Sequence, residues 1–61
     1  MKCRDLKKER DELSRITKEL EQSATELEKI GKPELAEYIH SANLNVYVAL
    51  TKVEKELRET E

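Results

Sequence analysis

Sixty-one residues, 43% of them charged and 36% hydrophobic, make one domain at most, and a chain this short buries little of its surface unaided. Cys3 is the only cysteine and His40 the only histidine, which excludes an internal disulfide and a Cys/His zinc cluster, so a partner chain is the expected source of stability. Twelve basic residues nearly balance 14 acidic ones, giving no global pull toward nucleic acid or an anionic membrane.

The single Gly and single Pro argue against disorder and against an all-β fold with many turns. No apolar run is long enough for a membrane span, and no apolar segment near Met1 reads as a signal peptide. With the free thiol of Cys3, these features lead us to expect a cytoplasmic protein.

Helix 1 is predicted from about residue 2 to 30. Leu6, Leu13, Leu20 and Leu27 recur every seven residues, and Glu9, Ile16, Ser23 and Ile30 fall at a second seam position between them, a coiled-coil pattern. Asp5, Glu12, Glu19 and Glu26 form an acidic flank. That flank repels a parallel copy of itself and suits a neighbour with neutral or basic edges.

Ile30-Gly31-Lys32-Pro33 then ends one helix and starts the next. Gly just past a helix end supplies a left-handed cap without strain, and Pro is at home at a first helical position. A connection this short implies an antiparallel hairpin.

Helix 2 is predicted from about 33 to 58. Its seam reads Leu35, Ile39, Ala42, Val46, Ala49 or Leu50, Val53 and Leu57, with steps of three and four over more than six turns. That overrules the strand-like alternation of NLNVYVAL. Folding at Gly31–Lys32 pairs positions whose numbers sum to about 63: Leu6 with Leu57, Leu13 with Leu50, Ile16 with Val46, Leu20 with Ala42, Leu27 with Leu35. The basic start of helix 1 (Lys2, Arg4, Lys7, Lys8, Arg10) then lies beside the acidic end of helix 2 (Glu54, Glu56, Glu59, Glu61).

Residues 38–51, YIHSANLNVYVALT, contain no Asp, Glu, Lys or Arg. One half of this window belongs to the first seam. The other half forms a second stripe through Glu37, His40 or Ser41, Leu44, Tyr47 or Val48, and Thr51. A helix apolar on two faces is covered on two sides. The stripe straddles the midpoint of helix 2, so a two-fold axis there brings it onto its own copy. The expectation is an all-α single domain, 1–61: a helical hairpin that dimerises into a four-helix bundle through Tyr38, His40, Ser41, Leu44, Tyr47, Val48 and Thr51. Asn43 and Asn45 flank the two seams, and a buried Asn would fix register at some cost in stability.

Motifs that would carry chemistry are sparse. Glu37-Tyr38-Ile39-His40 has the Glu-x-x-His spacing of bundle metal sites, with Glu26 expected nearby, but an antiparallel dimer places its two copies at opposite ends. Ser41-x-x-x-Asn45 in a short hairpin resembles the sporulation aspartyl-phosphate phosphatases, which use Ser-x-x-x-Asp. Asn45 stands where that acid would be, so the resemblance implies the hairpin without its acidic group. No nucleophile–base pair is visible, because Ser41 and His40 are neighbours that diverge around the helix. The architecture is similar to that of the plasmid copy-number protein Rop, a hairpin dimer that binds RNA loops, which implies an alternative role as a nucleic-acid-binding regulator. Lys7, Lys8, Arg15 and Lys18 are its candidate contacts, with Glu21 and Glu28 interrupting the same side. The leading expectation is a non-enzymatic interaction or regulatory protein. It self-associates through helix 2 and binds another macromolecule, with no cofactor, metal, small-molecule substrate or membrane implied.

Overall fold

The computed structural model describes residues 3–60 of the chain. Helix α1 spans Cys3–Lys29 and helix α2 spans Pro33–Thr60. Lys2 and Glu61, assigned above to the crossing of basic start and acidic end, lie outside the described residues.

The turn is built by backbone bonds. The Gly31 N–H donates to the Glu28 carbonyl at 3.1 Å, and the Lys32 N–H donates to the Leu27 carbonyl at 2.8 Å. This pair of bonds closes a helix around one left-handed residue, and Gly31 is that residue, with φ of 82°. Pro33 then opens α2, where a missing N–H leaves nothing unsatisfied. The Ala36 N–H, donating to the Lys32 carbonyl at 3.2 Å, closes the first turn. A Cβ added at Gly31 would meet nothing within 4 Å. Gly31→Ala therefore carries only the strain of the left-handed backbone, and we expect it to lower unfolding stability by ~1 kcal/mol. Urea unfolding followed by circular dichroism measures this, and an unchanged midpoint would mean that the cap adds nothing.

The helices run antiparallel in the register set by the turn. At the open end, Cys3 Sγ lies 3.0 Å from Thr60 Oγ1. One turn inward, Leu6 and Leu57 are both buried. Arg10 bonds its neighbour Asp11 at 3.2 Å and shares a shallow depression with Glu54, Leu57 and Arg58, where the basic start of α1 meets the acidic end of α2.

Which residues fill the contact differs from the sequence reading. On α1 the buried and half-buried line runs Cys3, Leu6, Arg10, Leu13, Thr17, Leu20, Ala24, Leu27. The leucine repeat is retained, but its alternate positions are Cys3, Arg10, Thr17 and Ala24. Glu9, Ser23 and Ile30 are exposed, and Ile16 is only half-buried. On α2 the line runs Ala36, Ile39, Asn43, Val46, Leu50, Val53, Leu57, while Leu35 and Ala42 are exposed. The expected pairs Leu20–Ala42 and Leu27–Leu35 give way to Leu20 level with Asn43 and Leu27 level with Ala36. The physical reason is side-chain size. Ala24 and Ala36, each 0% exposed, let the two backbones approach, and the bulkier neighbours then sit beside the contact.

Asn43 lies inside this contact, at 5% exposure, while Asn45 is exposed. The Asn43 Nδ2 donates to the Thr17 carbonyl at 3.4 Å, and its Oδ1 has no hydrogen-bond partner among the described residues. That carbonyl lies inside α1 and belongs to its helical ladder, so removing Asn43 strands no group. Asn43→Leu is therefore expected to raise stability by ~1 kcal/mol and to loosen the register that a polar contact marks. Chemical unfolding tests the first effect, and a lowered midpoint would show that the amide is net stabilising.

Candidate interaction surface

The two sides of the hairpin differ in chemistry. One side is polar and closed. There the Tyr47 hydroxyl donates to Glu21 Oε2 at 3.2 Å, and His40 Nε2 lies 3.6 Å from Glu28 Oε2. Glu21, His40, Asn43, Leu44 and Tyr47 surround one shallow depression on this side. Behind them the small residues Thr17, Ala24 and Ala36 hold the helices together.

The other side is apolar and open. Ser23, Leu27 and Ile30 of α1 line a groove with Ile39 of α2, and Glu26 and Lys29 stand at its rim. Helical spacing continues this face along α1 through Leu20, Ile16 and Leu13, and along α2 through Ala42, Val46, Ala49 and Val53. Of these only Ala42 is exposed; the others are half-buried. Ile30 is 69% exposed, and Leu35 beside it is exposed as well. No charged residue interrupts the strip from Leu13 to Ile30 or from Leu35 to Val53, along a molecule 45 Å long and 14 Å wide.

Each edge of this face has its own character. The α1 edge is the acidic flank Asp5, Glu12, Glu19 and Glu26, all exposed. Arg15 reaches it from the outer surface, donating to Glu12 at 3.0 Å and to Glu19 at 3.0 Å. The hydrogen bond that Arg15 donates to Glu12, and then the charge of Glu19, raise the Arg15 pKa from its ordinary value. The α2 edge reads Tyr38, Asn45, Lys52, Glu59, also exposed.

All seven residues expected at the interface are exposed: Tyr38, His40, Ser41, Leu44, Tyr47, Val48 and Thr51. They do not form one stripe. His40 and Tyr47 turn toward α1 and contact its glutamates. Val48 and Thr51 are exposed, and Leu44, at 66% exposure, borders the depression that Glu21 of α1 also lines. Tyr38 is exposed and shares a depression with Glu34, Glu37 and Ser41 on α2. Sequence reasoning missed the open apolar face because it placed Ile16 and Ile30 inside the contact. The available signal was the surplus of large apolar residues on helix 1, more than one seam beside Ala24 and Ala36 can hold.

The other motifs resolve as surface features. Glu28, not the expected Glu26, approaches His40, and Glu26 lies on the groove side. Among the described residues, no three His, Cys, Asp or Glu side chains are grouped to hold a metal. Ser41 and Asn45 are exposed on α2. Lys7, Lys8, Arg15 and Lys18 are exposed on α1, and acids interrupt this side as expected, since Glu21 and Glu26 line one depression with Lys18 and Lys29. Neither helix is long and apolar enough to cross a membrane. No family model, curated protein or solved structure matches the chain.

Proposed function

We propose that this chain is a small cytoplasmic, non-enzymatic interaction protein. Its hairpin self-associates into a four-helix bundle and offers its outer surface to another macromolecule. The observation that carries this reading is the uncharged strip of Leu, Ile, Val and Ala left open along both helices. Contiguous apolar surface on this scale marks an interface, and two helices alone bury too little to be stable. The strip runs about 26 Å along each helix at 1.5 Å per residue, and across the 14 Å width of the hairpin it offers roughly 360 Å² in projection, the size of a functional surface patch.

This reading moves self-association from the outer stripe of helix 2 to the broad face shared by both helices. Leu44, Val48 and Thr51 then remain on the outside of the bundle, available to a macromolecular partner. The free thiol of Cys3 supports a reducing compartment. Light scattering across a range of concentrations tests the proposal, with twice the 7.1 kDa chain mass expected. A folded species of single-chain mass at every concentration would overturn it.

The second reading, a Rop-like nucleic-acid-binding regulator, is favoured by one feature, the exposed basic residues Lys7, Lys8, Arg15 and Lys18 of α1. It requires RNA or DNA binding that weakens steeply with added salt.

A further inference from the structure

We propose that a second copy of this chain docks on the open apolar face with its α2 over α1, about a two-fold axis parallel to the helices. Both Gly31 turns then lie at the same end of the bundle. The proposal rests on the self-association just described and names its geometry.

Two hairpins can stack face to face in two symmetric ways. With the axis perpendicular to the helices, α1 meets its own copy and α2 meets its own copy. With the axis parallel to them, α1 meets the α2 of the second copy. The perpendicular arrangement lays the acidic edge of α1 against an identical acidic edge, four carboxylates facing four. Like charges placed opposite each other penalise that pairing.

The parallel arrangement sets the same edge against the α2 edge, which carries Tyr38, Asn45 and Lys52 before it ends on Glu59. Rotation about an axis along the helices leaves heights unchanged, so the register within the hairpin also holds between hairpins. Glu26 then lies level with Tyr38 of the second copy, Glu19 with Asn45, and Glu12 with Lys52. Each carboxylate meets a hydroxyl, an amide or an ammonium group able to donate to it. Arg15 contacts one oxygen each of Glu12 and Glu19 from the outward side, leaving further acceptor positions for a donor across the interface. Like charges meet at the open end, where Asp5 faces Glu59 and where the exposed Glu9 and Glu56 also border the face. Bulk agrees with charge. The α1 half of the face is mainly Leu and Ile, the α2 half includes Ala42 and Ala49, and large over small fills a bundle core evenly.

Spin labels decide between the arrangements. In a Cys3→Ser background, Lys32→Cys marks the turn, and both positions are outside the open face. Dipolar spectroscopy is expected to give one short distance between the two labels of a dimer, below about 30 Å for neighbouring helices 8–10 Å apart. The perpendicular arrangement separates them by about the length of the molecule, 45 Å. Glu59→Cys, at the other end, is expected to give a short distance as well, and it serves if the turn label disturbs folding. A dimer with long distances at both sites overturns this geometry while leaving self-association standing. A monomer by light scattering overturns both.

Discussion

Leu20→Glu is expected to abolish self-association and to leave little folded protein at micromolar concentrations. Leu20 lies near the middle of the open face and is half-buried within one hairpin. In the proposed bundle it becomes fully enclosed, as does its copy. A carboxylate there loses its water without gaining a partner, a penalty of several kcal/mol in each chain. A domain of this size has only ~3–9 kcal/mol of total stability, so the bundle cannot absorb two such penalties. Light scattering and circular dichroism together report mass and helix content. Ile30→Glu separates association from folding, because Ile30 sits outside the contact between α1 and α2. It is expected to keep the hairpin and to weaken dimerisation by about tenfold, as a buried apolar residue at the turn end of the interface would. Leu44→Glu, on the outer surface of α2, is expected to leave the mass unchanged. The reverse pattern, with Leu44→Glu monomeric and both Leu20→Glu and Ile30→Glu still dimeric, would return self-association to the outer stripe of helix 2.

Ala24→Leu is expected to be the most damaging single change inside the hairpin that adds no charge. Ala24 has no exposed surface and faces α2 where Ala36 is equally enclosed. Three extra heavy atoms at this point force the helices apart or drive the side chain off its rotamer, which destabilises by ~1–3 kcal/mol. Separation would also expose Leu27 and Ile39, which flank the site and line the adjoining groove. The urea midpoint measures the effect. A raised or unchanged midpoint would place residue 24 outside the contact and restore Ser23 to the position the leucine spacing suggests.

Much of this architecture is legible without coordinates because it depends on local chemistry. Gly31 next to Pro33 dictates a helix stop and a helix start, since only glycine adopts the left-handed cap freely and only the first turn accepts a proline. With a turn that short, an antiparallel pairing follows, and its register follows from counting residues. The closeness of Cys3 to Thr60 and the joint burial of Leu6 and Leu57 agree with the count. Charge patterning made the acidic flank of α1 visible at the same stage, along with its need for a neutral or basic neighbour.

The rotation of each helix about its own axis was settled only by tertiary packing. On α1 the leucines 6, 13, 20 and 27 are compatible with two sets of companions, one on either side: residues 9, 16, 23 and 30, or residues 3, 10, 17 and 24. Hydrophobicity favours the first set, which contains two isoleucines. Backbone approach favours the second, which contains Thr17 and Ala24. Periodicity cannot choose between stripes that share half their members. Close packing can, because two helices meet most tightly where side chains are smallest. That choice turned Ile16 and Ile30 outward, drew Asn43 in, and gave the hairpin one polar side and one apolar side.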